Sequence, residues 1–150
     1  MNLTIVIDAN IVWSTAYRAS SQVGQLVMAS DQEEVSFYAP SYLKSELDRH
    51  LPKIVELSGQ TQLEVTTVLQ AAYRKLKFIS DAQIPFAYFQ AALPLVRDID
   101  IDDIVFVALN DYLSGYLWTG DRQLYNGLKA KGYQKVVNLD ELKVLLGTTK

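Results

Sequence analysis

The chain has 150 residues, 49% hydrophobic and 21% charged, with a formal net charge of −3, most simply read as one domain over residues 1–150 with a core that needs no staples. The lack of cysteine excludes a disulfide framework, a thiolate zinc site and a cysteine nucleophile. The acidic balance leaves no global basic footprint for nucleic acid, although a bound cation would invert the sign of an acidic cleft.

The N-terminus shows no basic stretch followed by an apolar core and cleavage site, and no apolar run is long enough to span a bilayer. A cytoplasmic location without membrane contact is therefore expected. Leu3–Ile7 is an apolar run that ends abruptly in Asp8. That pattern suits a buried parallel strand delivering a carboxylate to the C-terminal edge of a sheet, and in open α/β sheets ligands bind outside that edge. Asp8 and Asn10 form an Asp-x-Asn step, suited equally to helix capping and to metal binding. Helical character follows over residues 11–19 and 21–29, broken near Ser20-Ser21.

After the polar Asp31-Gln32-Glu33-Glu34, a second strand is expected at about residues 35–38, and Pro40 suits the first turn of a helix. In that helix Leu43, Leu47, His50, Leu51 and Ile54 form one apolar stripe, with Lys44, Asp48 and Arg49 elsewhere. Glu46 stands at the margin of the stripe, where a glutamate is either a partly buried liability or a ligand. His50, the only histidine, reads as a packed helix-face residue rather than a base or ligand. Gly59 breaks the helix, and a second one is expected over residues 60–75.

Residues 77–80 suit a short third strand and residues 85–95 an aromatic-rich helix. In Asp100-Ile101-Asp102-Asp103 three carboxylates crowd four positions, whereas capping a helix needs one acid. Asp103 is best placed to project inward, because Phe106 and Val107 follow one turn later; Asp98 and Asp100 fall in the preceding loop. Val105, Ala108, Leu109 and Tyr112 keep the i, i+3, i+4, i+7 pattern. A fourth strand at residues 116–119 runs into Thr119-Gly120-Asp121. Gly120 would let backbone approach a ligand closely, and Asp121 suits either a ligand or the cap of a helix over Arg122–Ala130. A fifth strand is expected at residues 135–137 and a last helix from near Leu139.

Strands alternating with helices read as a parallel sheet covered on both faces. Asp8, Glu46, Asp103 and Asp121, gathered at one edge, would repel one another unless a hard cation sat among them. Oxygen-only ligation favours Mg²⁺ or Mn²⁺ over zinc. Arg18, Arg49, Arg74, Arg97 and Arg122 read better as solvated surface than as phosphate contacts. Tyr73, Phe78, Phe86, Tyr88 and Phe89 read as core or interface.

The chain resembles the PIN-domain family, which includes VapC-type toxins of bacterial toxin–antitoxin pairs. The likeness covers nearly the whole length. It rests on Ile7-Asp8-Ala9-Asn10, on Pro40 through Glu46, on Asp100-Ile101-Asp102-Asp103-Ile104-Val105-Phe106 and on Trp118-Thr119-Gly120-Asp121-Arg122-Gln123-Leu124. The resemblance implies a five-stranded parallel sheet sandwiched by helices, with a metal-dependent ribonuclease site at its C-terminal edge. It implies Asp8, Glu46, Asp103 and Asp121 as acidic ligands and catalytic residues, with Asn10 and Thr119 supporting them. Asp100 and Asp102 stand as alternatives to Asp103. It further implies Mg²⁺ or Mn²⁺, single-stranded RNA as substrate with 5′-phosphate products, a small antitoxin partner and a homodimer. The competing expectation is a PIN-like scaffold that binds RNA or protein without cutting. A haloacid dehalogenase phosphatase would need an aspartate where Asn10 stands, and no Gly-x-Gly-x-x-Gly follows the first strand to suggest a Rossmann site.

Overall fold

The structure is a computed structural model that describes residues 2–29 and 34–147. β1 (Leu3–Ile7) is a run of apolar and β-branched side chains whose last three residues are buried, the composition of a central strand covered on two faces. It pairs in parallel with β2 (Val35–Pro40) on one side and with β4 (Tyr116–Trp118) on the other. β3 (Leu76–Ile79) extends the sheet beyond β2, and β5 (Val136–Val137) extends it beyond β4. The order is β3-β2-β1-β4-β5.

The helices are α1 (Ala9–Tyr17), α2 (Gln22–Met28), α3 (Tyr42–Ser58), α4 (Gln62–Tyr73), α5 (Phe86–Val96), α6 (Ile104–Leu113), α7 (Arg122–Ala130) and α8 (Leu139–Leu145). Parallel crossovers are right-handed, so steps outward through β2 and β3 and steps outward through β4 and β5 place their helices on opposite faces. α1 accordingly packs with α2, α3 and α4, while α6 lies on β1, β2 and β4 and carries α5, which also meets α7. The strand order reverses between β1 and β4. Their C-terminal ends therefore flank the switch point at which such sheets bind ligands.

The core fills both faces. Trp118, Phe37 and Phe106 are the largest side chains fully buried in it, and the rings of Phe37 and Trp118 lie 6.1 Å apart, centroid to centroid. Each such side chain contributes about 1.5–3 kcal/mol of burial energy. Gly115 permits the close approach of β4 to β1, since a Cβ there would stand 2.7 Å from the Thr4 carbonyl oxygen.

The expected five-stranded parallel sheet with helices on both faces is the observed architecture, with three local differences. Pro40 is the last residue of β2, paired with Ile79, and the helix starts at Tyr42. A missing N–H is tolerable where the ladder ends, and Ser41 resumes it by donating its backbone N–H to the Ile79 carbonyl at 3.0 Å. In α3, Leu43, Leu47 and Ile54 are buried as expected, but His50 is exposed. The period of the stripe is right; at His50, however, the helix borders an open cleft rather than the core. Two short 3₁₀ turns, Asp81–Gln83 and Ile101–Asp103, were not foreseen. Of the expected polar segment, residues 31–33 lie outside the described residues. Among the described residues, no helix is long and apolar enough to cross a membrane.

Candidate active site

β1 ends at Ile7, and Asp8 continues its ladder by donating its backbone N–H to the Trp118 carbonyl at 3.1 Å. Asp8 is 5% exposed, and its two carboxylate oxygens have separate tasks. Oδ1 accepts the Ala9 N–H at 2.7 Å and caps α1. Oδ2 accepts the Thr119 hydroxyl at 2.7 Å. Thr119, itself buried just past β4, uses the same Oγ1 to accept the Asp121 N–H at 3.0 Å. Asn10 Oδ1 accepts the Gly120 N–H at 3.2 Å. The ends of β1 and β4 are thus tied by side chains as well as by the sheet. Gly120 is not demanded by crowding: the nearest atom to a Cβ there would be Asn10 Nδ2 at 3.6 Å, an ordinary contact.

Asp121 is exposed and caps α7, its Oδ1 accepting the Gln123 and Leu124 N–H groups at 2.9 and 3.2 Å. Asp103 stands at the N-cap position of α6 but makes no capping bond. Its carboxyl is half-buried and uncommitted to the helix. The cap of the preceding 3₁₀ turn is Asp100, whose Oδ1 accepts the Asp102 N–H at 3.0 Å. Glu46, half-buried, comes from the second turn of α3. The four expected ligands Asp8, Glu46, Asp103 and Asp121 line a single cleft of about 280 Å³, together with Asn10 and Asp100. Thr119 touches the cleft through Asp8. Asp102 is exposed and does not line it.

The electrostatics follow from this crowding. Burial pushes the Asp8 carboxyl up to about 6 against the pull of its Thr119 and Ala9 hydrogen bonds, with Asp121 and Asp100 adding to the rise. Burial, then the charge of Asp8, lifts Glu46 to about 7, Arg49 opposing and Asp102 and Asp100 adding. Burial, followed by Asp8, Asp100, Asp121 and Glu46, lifts Asp103 to about 8. Burial first, and the charge of neighbouring carboxylates second, thus raise three acids whose ordinary values lie near 4 toward neutral pH. Among the described residues, no three acidic or histidine side chains are drawn close enough to make a finished metal cage. The donor set nonetheless suits a hard divalent cation: it is all oxygen, and added positive charge would relieve its mutual repulsion.

Sequence patterns did not point to three further residues of the cleft. His50 and Lys53 from α3 and Trp13 from α1 all line it. The signal available was spacing: His50 and Lys53 follow Glu46 at i+4 and i+7, on one flank of the helix. Arg49, read as surface, does bear on the site through the charge of Glu46, and it donates to the Tyr42 hydroxyl at 3.0 Å. Of the aromatics read as core or interface, Tyr73 and Phe78 pack edge to face at 5.7 Å, whereas Phe86 is 72% exposed.

Fold and site together define an α/β domain with a carboxylate-lined cleft at the switch point of its sheet. The sequence pattern of the PIN domain matches residues 6–141, and the chain belongs to that family. PIN domains are generally nucleases and commonly use divalent metals. Among solved structures, PAE2754 from Pyrobaculum aerophilum is similar with a TM-score of 0.69 at 14% identity, covering 98% of this chain and 97% of that one. VapBC2 from Rickettsia felis, solved bound to a DNA fragment from their promoter, is similar with a TM-score of 0.63 at 13% identity, covering 91% of this chain and 98% of that one. At such identities the likeness is one of fold. No curated protein matches the chain in sequence.

Proposed function

We propose that the chain is a Mg²⁺- or Mn²⁺-dependent endoribonuclease that hydrolyses phosphodiester bonds of single-stranded RNA. The observation that carries this reading is the convergence of Asp8, Glu46 and Asp103 in one cleft, each with its carboxyl raised to between about 6 and 8. Such a set is costly to the fold and finds its use in holding a cation. Asp8, Glu46, Asp103 and Asp121 would hold it, with Asp100 at the rim as a further oxygen donor. A bound divalent ion supplies positive charge for the phosphate and acidifies water.

The chain's own residues do the rest. Thr119 fixes the orientation of Asp8 by donating to Oδ2, and ties Asp121 to the same point through its backbone N–H. Asn10 holds the Gly120 turn against α1. These bonds keep two acids from different strands in register, as groups supporting a metal site do. The family and the VapBC2 likeness support a narrower role as the cytoplasmic toxin of a toxin–antitoxin pair. A small antitoxin would then cover the cleft and present an arginine to the carboxylates, and a second copy of the chain would complete a homodimer.

The test is cleavage of a panel of labelled single-stranded RNAs with Mn²⁺, Mg²⁺ or EDTA, beside the Asp8→Asn/Asp121→Asn double variant. Metal-dependent cutting by the parent and none by the double variant is the expected outcome. Intact RNA throughout, with folded protein, would transfer the reading to a scaffold that binds RNA or protein without cutting.

A further inference from the structure

α3 places Glu46, His50, Lys53 and Leu57 at i, i+4, i+7 and i+11, all on one flank of the helix. Across from them, α1 carries Trp13 and Tyr17 one turn apart, and the two helices pack together. One end of the seam between them is the acidic cleft, lined by Glu46, His50, Lys53 and Trp13. Trp13 also borders an adjoining depression lined by Tyr17, Arg18 and Leu57. At 1.5 Å per residue, the seam runs about 16 Å along α3 from Glu46 to Leu57.

Its chemistry changes along that length. Acid gives way to His50 and Lys53, then to Arg18. Lys53 and Arg18 are exposed, and among the described residues neither takes part in an ion pair. The indole N–H of Trp13 is covered and has no hydrogen-bond partner, so the part of Trp13 lining the cleft offers ring carbon rather than a donor. Tyr17 is 41% exposed beside it. Cations interleaved with aromatic surface are what a single nucleic-acid strand needs, the cations for phosphates and the rings for bases. An apolar peptide helix laid here would bury Lys53 and Arg18 without counter-charge. A phosphodiester strand brings its own.

Resting on the ribonuclease reading, we infer that this seam is the track for the RNA flanking the scissile phosphate. Lys53 and Arg18 take backbone phosphates, and Trp13 and Tyr17 stack the bases. The occupant continues directly from the acidic cleft, because Trp13 belongs to both parts of the seam.

The experiment is fluorescence anisotropy of a labelled single-stranded RNA of about 12 nucleotides, a span within the range of such sites. It uses the full chain carrying Asp8→Asn to block cleavage, with Mg²⁺ present. Lys53→Gln is expected to weaken binding and to lower the slope of log affinity against log salt by about 0.7, the share of one phosphate contact. A merely structural role for Lys53 would not move that slope. Trp13→Leu is expected to weaken binding by roughly tenfold with the slope unchanged, and Trp13→Phe to restore most of it. Unaltered affinity and slope in both Lys53→Gln and Trp13→Leu would overturn the track. So would a parent that ignores RNA but binds an acidic peptide through Lys53. Binding through Lys53 and Trp13 by a wild-type chain that cuts nothing would overturn the ribonuclease reading while sustaining the track.

Discussion

Thr119 is the smallest group on which the site turns. Its one hydroxyl donates to Asp8 Oδ2 and accepts from the Asp121 N–H, joining acids that are far apart in sequence. Thr119→Val keeps the shape and removes both bonds. It leaves a buried carboxylate oxygen without its donor, which costs about 1–3 kcal/mol of stability, and frees the orientation of Asp8, which costs about 10–100-fold in activity. Thr119→Ser should keep most of both, as denaturant melts and initial rates would record; a fully active valine variant would remove Thr119 from the site. The choice between neighbouring acids is equally concrete. Asp103 lines the cleft and is raised to about 8, whereas Asp102 is exposed and does not line it. Asp103→Asn should abolish metal-dependent cleavage while raising metal-free stability at alkaline pH, because it removes one crowded charge. Asp102→Asn should leave cleavage intact and change alkaline stability only through its weaker charge effect on Glu46. The reverse result would transfer the ligand role to Asp102.

At the scale of elements, Asp8 and Asp121 are helix caps as well as cleft residues, and substitution can part the two jobs. Asp121 caps α7 through Oδ1, and asparagine caps nearly as well as aspartate. Asp121→Asn should therefore leave the melting temperature equal or higher, since it also removes a charge that lifts Asp8 and Asp103, and reduce cleavage. Asp121→Ala should lose activity and about 1 kcal/mol of capping stability together. Equal destabilisation by both would mean that its charge, not its cap, matters to the fold. This dual use also explains what could be read from sequence. β1 and β4 are buried on both faces, so each is an unbroken apolar run, and the acids that follow them stand out. Pro40 reads as the start of a helix and instead ends β2, because proline suits both places alike. His50 was misplaced for another reason. Periodicity in α3 reports which face a residue occupies, not whether core or open cleft lies opposite. Trp13 carries no local signal, and the only one for Lys53 is its spacing from Glu46. What brings that flank of α3 to Asp8 is the pairing of β2 with β1 and the packing of α3 on α1, which no short stretch of sequence records.

For the whole molecule, the cleft makes stability, pH and metal a single coupled problem. Asp8, Glu46 and Asp103 all hold protons more tightly in the fold than in the unfolded chain, where carboxyls titrate near 4. Between about pH 4 and pH 8 the native state binds more protons than the unfolded one, so stability falls as pH rises through that window. The lowered carboxyls, Asp98 and Glu141, finish titrating below most of it and do not reverse the trend. In EDTA the melting temperature should thus decline from about pH 5.5 to about pH 8. On the proposed reading, divalent metal takes the deprotonated carboxylates and competes with those protons. It also stabilises only the native state, by mass action. The rise in melting temperature on adding Mg²⁺ or Mn²⁺ should then be larger at the alkaline end, where fewer protons must be displaced. Asp8→Asn/Asp103→Asn should flatten both the pH profile and the metal response. A thermal-shift series across pH, with metal and with EDTA, reads all of this without any RNA. A metal response of equal size at both ends of the range would mean that these carboxyls do not share one cation, and a flat profile in EDTA would mean that the fold does not raise them.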